Sequence, residues 1–158
     1  GREDQPIYDF DLAVERVAAC ARVVRKLPFP FTLTARAENF LHGRRDLDDT
    51  IRRLKAYGAA GADVLYAPGL RDLETIRKVV SALDKPVNVV IGGVDPAVKI
   101  RELAAAGVKR VSVGGALSRL AFAKVREAAM QLRDTGSIEW LREAMPGKDL
   151  KDIFQANA

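Results

Sequence analysis

Two hexapeptides in this chain are variants of one another: Ala60-Gly61-Ala62-Asp63-Val64-Leu65 and Ala106-Gly107-Val108-Lys109-Arg110-Val111. In each, small residues end a stretch of helical apolar spacing, and a short aliphatic run follows at once. The glycine can take the left-handed conformation that closes a helix. A chain that repeats helix end, glycine and strand is building βα units, and a helical crossover between consecutive strands makes those strands parallel.

The rest of the chain obeys the same alternation. Val14, Val17, Ala18, Ala21 and Val24 give helical spacing over residues 11–26 with Asp11 as cap, and Pro28 and Pro30 stop it. A short strand is predicted over residues 31–35, a helix from Asp48 to the first glycine junction, and a strand over 63–66. Asp72 caps a helix carrying Leu73, Ile76, Val79 and Leu83, Lys85-Pro86 turns the chain, and residues 87–91 form an apolar strand. Asp95-Pro96 reads as a helix start running to the second junction, because proline's missing N–H costs nothing at the first helical position. Residues 110–113 are the last strand, 116–135 a helix closed by Gly136, and shorter helices follow around Trp140 and around Leu150 and Phe154.

Four such units in 158 residues are half of a (β/α)8 barrel, which takes about 250 residues. The alternative is an open doubly wound sheet, yet no GxGxxG follows any predicted strand. Composition fits one soluble domain with a sizeable core. The net charge of +5 is spread as Arg and Lys interleaved with acids along helices, which reads as solvated faces with no nucleic-acid partner. No run approaches the roughly 18 apolar residues of a membrane span, and residues 1–15 lack a basic start and apolar core of a signal peptide, so the expectation is a cytoplasmic protein with no membrane partner. One cysteine, Cys20, excludes an internal disulfide or a CxxC site.

Chemistry in parallel α/β proteins gathers at the C-terminal strand ends. After the first predicted strand, Arg36 offers a planar fork for a carboxylate or phosphonate; a salt bridge with Glu38 is the competing reading. Gly92-Gly93 and Gly114-Gly115 stand where barrels bind phosphate on backbone amides, or where tight turns need glycine. His42 has no second histidine or nearby cysteine, so no metal ligand set is expected and a surface role is. Cys20 is expected as a small buried hydrophobe, and Ser112 lacks the GxSxG setting of a nucleophile.

The strings from Phe31 to Asn39 (FTLTARAEN), from Asp46 to Tyr57 (DLDDTIRRLKAY), from Ala60 to Gly69 (AGADVLYAPG), KPVNV from Lys85, and RVSVGGALS from Arg110 resemble the isocitrate lyase and phosphoenolpyruvate mutase superfamily over nearly the whole chain. The resemblance implies strands 5 to 8 of that barrel over residues 1–136, with a C-terminal helical extension over 137–158. It also implies cleavage or formation of C–C or C–P bonds next to an α-oxo carboxylate, with magnesium holding an enolpyruvate-like intermediate.

In that frame Arg36 matches the family's substrate-binding arginine, and Glu38, Asn39, Asn88, Gly114 and Gly115 shape the pocket for a small anionic substrate. The magnesium ligands and the catalytic residues are expected in an upstream half, so this chain alone is expected to be inactive. Ala67-Pro68 stands where the lyases and mutases place an acid or histidine, which points away from isocitrate cleavage toward small oxo acids or phosphonates. Unpaired sheet edges and the terminal helices imply association with a second copy or with the other half-barrel. A non-catalytic half-barrel module and a phosphate-binding barrel enzyme are the alternatives.

Overall fold

Local chemistry fixes where each helix begins and ends. The computed structural model, which describes residues 4–156, places α1 at Phe10–Val24, α2 at Leu47–Ala59, α3 at Leu73–Ser81 and α4 at Ile100–Ala105. Between them run β1 at Thr34–Arg36, β2 at Val64–Tyr66, β3 at Val87–Val90 and β4 at Arg110–Ser112. Asp46 and Asp72 accept hydrogen bonds from the backbone N–H of Asp49 (2.9 Å) and Thr75 (2.7 Å), satisfying orphan donors at the starts of α2 and α3.

The two look-alike junctions close their helices in the same way. Ala62 N–H donates to Tyr57 O and Gly61 N–H to Gly58 O; Val108 N–H donates to Leu103 O and Gly107 N–H to Ala104 O. These paired bonds satisfy the last carbonyls and require a positive φ at the glycine, observed at 108° for Gly61 and 90° for Gly107. A Cβ on Gly61 would lie 2.8 Å from the Ala21 methyl, and one on Gly107 would lie 2.9 Å from Val80 Cγ1.

All four strands are parallel, in the order β1-β2-β3-β4. One face of the sheet is buried: Ala35, Leu65, Val87 and Val89 pack with Leu54, Ile76, Val79 and Leu103 of the helices in a single apolar cluster. Arg25 staples α1 to the entry side of the strands, donating to both Asp63 carboxylate oxygens (3.2 and 2.6 Å) and to Gly61 O, while Asp63 also accepts from Leu33 N–H. Those contacts, Arg25 foremost, hold the Asp63 carboxyl below the usual carboxylate range.

Several boundaries differ from expectation. α1 starts at Phe10 behind Asp9, which makes no side-chain cap, so Asp11 lies inside the first turn. β1 is Thr34–Arg36, shifted from residues 31–35: Leu33 N–H is taken by Asp63, and Phe31 is exposed. Asp95-Pro96 does not open α4. Asp95 turns the chain on itself, its Oδ1 accepting from Ala97 N–H and its carbonyl from Val98 N–H, a competing local geometry that aspartate favours. The helix begins four residues later, where Lys99 N–H donates to Glu102 Oε2.

Packing divides the chain into two compact units, with the break after Gly114. The second unit holds α5 (Ala116–Thr135), a 3-10 turn at Glu139–Glu143 and α6 (Gly147–Gln155). Gly136, at φ 71°, closes α5 as expected. Within it Lys124 pairs with both Glu127 and Glu143, tying the turn to α5. None of its described residues is buried, and Phe122, Leu141, Ile153 and Phe154 are among its exposed apolar side chains. Among the described residues no helix is long and apolar enough to cross a membrane.

Candidate functional site

Strand pleating sends alternate side chains to opposite faces. Since Ala35, Leu65, Val87 and Val89 take the helix-covered face, their neighbours take the other. Register aligns four of these neighbours in one row, Arg36 beside Tyr66, Tyr66 beside Asn88, and Asn88 beside Arg110. The row is polar from end to end, on a face to which the apolar cluster contributes nothing.

Contacts within the row are specific. The Arg36 guanidinium lies 5.2 Å from the Tyr66 ring centre, close enough for a cation–π attraction. Asn88, 1% exposed, uses its whole amide: Nδ2 donates to Ser112 Oγ at 3.1 Å and Oδ1 accepts from Arg110 Nη1 at 2.9 Å. Asn88 thereby fixes the Arg110 guanidinium against the sheet. Burial pushes the Tyr66 hydroxyl above its ordinary pKa; Arg36 and Arg110 pull it down and Glu38 pushes it up.

Arg36 itself is half exposed, its side chain 48% accessible, and it is paired with Glu38 at 2.7 Å. The salt bridge anticipated as the competing reading is therefore present, and an anion on Arg36 would have to share or replace it. Beside the pair is a hollow of about 330 Å³ lined by Pro6, Ile7, Tyr8, Ala13, Arg36, Glu38, His42 and Tyr57. His42 Nε2 stands 4.0 Å from Glu38 Oε2. Its backbone N–H donates to Glu38 O, so one turn of chain sets that spacing.

Asn39 is 2% exposed and braces the loop after β1. Its Nδ2 donates to Asp49 Oδ2 at 2.8 Å, and Asp49 also accepts from Arg52 and Arg53 at 2.6 and 2.7 Å. Arg53 in turn donates to Tyr8 O, tying the N-terminal segment to α2. Burial opposes charge on Asp49, but hydrogen bonds from Arg53, Arg52 and Asn39 outweigh it and hold its carboxyl at about 2. Asn39 Oδ1 has no partner among the described residues.

The remaining candidates separate from this row. Gly114 ends the first unit at φ 57°, with Val90 Cγ2 3.3 Å from where its Cβ would be, while Gly115 opens the second and caps α5, accepting from Arg119 N–H. Gly92 and Gly93 form part of a 3-10 turn after β3. Cys20, expected to be buried, is exposed. It lines an apolar groove of about 370 Å³ with Arg16, Val17, Ala19 and residues 33–36. The reason is topological: β1 is an edge strand, so the flank of α1 turned toward its free side has nothing to pack against.

Tyr66 and Arg110 were not singled out by residue chemistry, being read only as a strand end and a strand start. Strand parity would have found them, since both lie on the same face as Arg36 and Asn88. Ala67 and Pro68 are buried after β2 and bring no acid to the site. Among the described residues no group of three or more His, Cys, Asp or Glu could hold a metal ion.

Comparison with known proteins places these features in context. The family model described as phosphoenolpyruvate phosphomutase matches residues 1–133. A solved structure from Burkholderia cenocepacia J2315, described only at the level of lyase or mutase, shares 56% identity and a TM-score of 0.93 over 98% of this chain. Oxaloacetate acetylhydrolase in complex with its product oxalate shares 27% identity and a TM-score of 0.76 over 97% of the chain. The oxaloacetate decarboxylase of Bradyrhizobium diazoefficiens is 32% identical over 70% of the chain. The chain spans 55% of each of those two structures and 35% of the decarboxylase.

Proposed function

The chain belongs to the phosphoenolpyruvate phosphomutase family, and from that premise we propose that it forms the anion-gripping wall of a lyase or mutase acting on small α-oxo or 2-hydroxy carboxylates. The observation that carries the reading is Arg36, half exposed at the C-terminal end of β1 and at one end of a polar row through Tyr66 and Asn88 to Arg110. A guanidinium in that position offers two parallel N–H donors to a carboxylate or phosphonate, and Tyr66 flanks it with a hydroxyl. Exclusion of water would come from whatever covers the open face.

In this reading Arg36 binds and orients, Asn88 holds Arg110 in place, and Asn39 braces the loop that carries Glu38. No proton transfer or bond cleavage is assigned to these residues, and no step is routed through magnesium; its ligands, in this proposal, belong to segments beyond the described residues. The chain by itself binds ligand and does not turn it over. Its setting is cytoplasmic, and its edges β1 and β4 pair with a complementary half-barrel or a second copy. Oxalate, the product seen in the acetylhydrolase structure, is a suitable probe.

Isothermal titration of this chain with oxalate at low ionic strength tests the proposal. Binding is expected, with at least a tenfold loss in Arg36→Gln, in line with the roughly 1.5–3 kcal/mol of a charged hydrogen bond. Equal oxalate affinity in the wild type and Arg36→Gln would remove the basis for the proposal. Pyruvate or glyoxylate release by this chain alone would overturn the view that it only binds.

A further inference from the structure

The Arg36 guanidinium is already engaged by a carboxylate of its own chain. Nε lies 2.7 Å from Glu38 Oε1, and Nη2 donates to Oε2 at 3.4 Å, so Glu38 presents two oxygens along one edge of the fork, as a ligand carboxylate would. Glu38 follows Arg36 by two residues, lies in the loop after β1 and keeps 28% of its side chain exposed. His42 Nε2 lies 4.0 Å from that same Oε2. The other ionisable groups placed around this cluster are Tyr8 from the N-terminal segment, Tyr57 from α2, Tyr66 from β2, Arg110 from β4, and Arg16 from α1, which lies over the Tyr8 ring and lines a groove with Arg36. Among the described residues Arg36 and His42 are the two cationic side chains within 4.0 Å of the Glu38 carboxylate, and both reach its Oε2.

We infer that Glu38 is a built-in competitor for the anion site, and that a ligand anion displaces it from Arg36 toward His42, which takes up a proton as it does so. The inference rests on the anion-binding reading of Arg36. Displacement exchanges one ion pair for another. The ligand takes Arg36, the Glu38 carboxylate loses its neutralising guanidinium, and its uncompensated charge favours the protonated imidazole next to it. Ligand-bound protein then holds more protons than free protein, so by linkage binding strengthens as pH falls. A monoanion that offers Arg36 no more than Glu38 already offers gains little by entering. A dianion that also reaches Tyr66, which flanks Arg36, gains enough to displace it. Glu38 thus sets the threshold that a ligand must exceed and couples occupancy to pH.

Oxalate titration of the whole chain in buffers of different ionisation enthalpy, between pH 6 and 8, measures affinity and proton uptake together. Glu38→Gln is expected to tighten oxalate about threefold, the scale of one exposed ion pair, and to abolish the proton uptake; Glu38→Asp should fall between. His42→Gln is expected to abolish the uptake as well. Far-UV circular dichroism and a thermal melt confirm that each variant folds. Oxalate binding that depends on Arg36 but is unchanged or weakened in Glu38→Gln overturns the inference and leaves the anion site standing. Arg36-dependent binding with no proton uptake in the wild type overturns the coupling to His42. Absence of oxalate binding in both the wild type and Glu38→Gln, or its persistence in Arg36→Gln, brings down the anion site and the inference together.

Discussion

Asp49 shows how much one side chain can hold. It accepts from Asn39, Arg52 and Arg53, and its carboxyl is held at about 2 against an ordinary value near 4. A depressed carboxyl contributes stability that is complete above its unfolded pKa and is lost as pH falls through the folded one. The contribution, on the order of 2 kcal/mol, should therefore drain away between about pH 4 and pH 2. Asp49→Asn should lower stability at pH 7 and flatten that acid limb, as urea melts at stepped pH would show. Residue chemistry alone pointed to Arg36 and foresaw its ion pair with Glu38, while Asn39 and Asn88 came only with the family resemblance. It gave no sign of the Asp49 cluster, because Asn39, Asp49 and Arg53 are ten and four residues apart and meet only when the loop after β1 folds back over α2. It misjudged Cys20 because helical spacing reports which face of α1 is apolar, and not whether an edge strand leaves part of that face uncovered.

Among the elements, the strands and most helices were legible because periods of two and 3.6 are written directly in side-chain type. Boundaries were less so: α4 was placed too early because Asp95-Pro96 satisfies the rules for a helix start and for a tight turn equally well, and only the hydrogen bonds of Asp95 decide. The helix-closing glycines give a sharper expectation. Gly61→Ala and Gly107→Ala both force a Cβ into a positive φ and against a neighbour at 2.8 or 2.9 Å, and each should cost at least about 1 kcal/mol. Gly93→Ala meets nothing within 4 Å and has no positive φ, so it should be near neutral. Urea denaturation of the three variants makes the comparison, and equal costs would refute the closing role.

For the molecule as a whole, parallel order and βα alternation followed from sequence, whereas the break after Gly114 did not, since nothing in apolar spacing distinguishes α5 from the helices that cover the sheet. Sedimentation velocity should show the chain associating at micromolar concentration, because the second unit exposes Phe122, Leu141, Ile153 and Phe154 and buries none of its described residues. Phe122→Glu with Phe154→Glu should reduce that association, and a monomeric wild type would argue against it. Register carries a further consequence. Val64 and Arg110, each three positions past its glycine, both project away from the helices, so the glycine acts as the zero of a ruler. Lengthening the first junction by one residue would exchange inside for outside along β2, sending Leu65 to the polar face and Tyr66 into the oil, and the same insertion at the second would turn Val111 outward and Arg110 inward, with every atom of the wall still present and none of it addressed correctly.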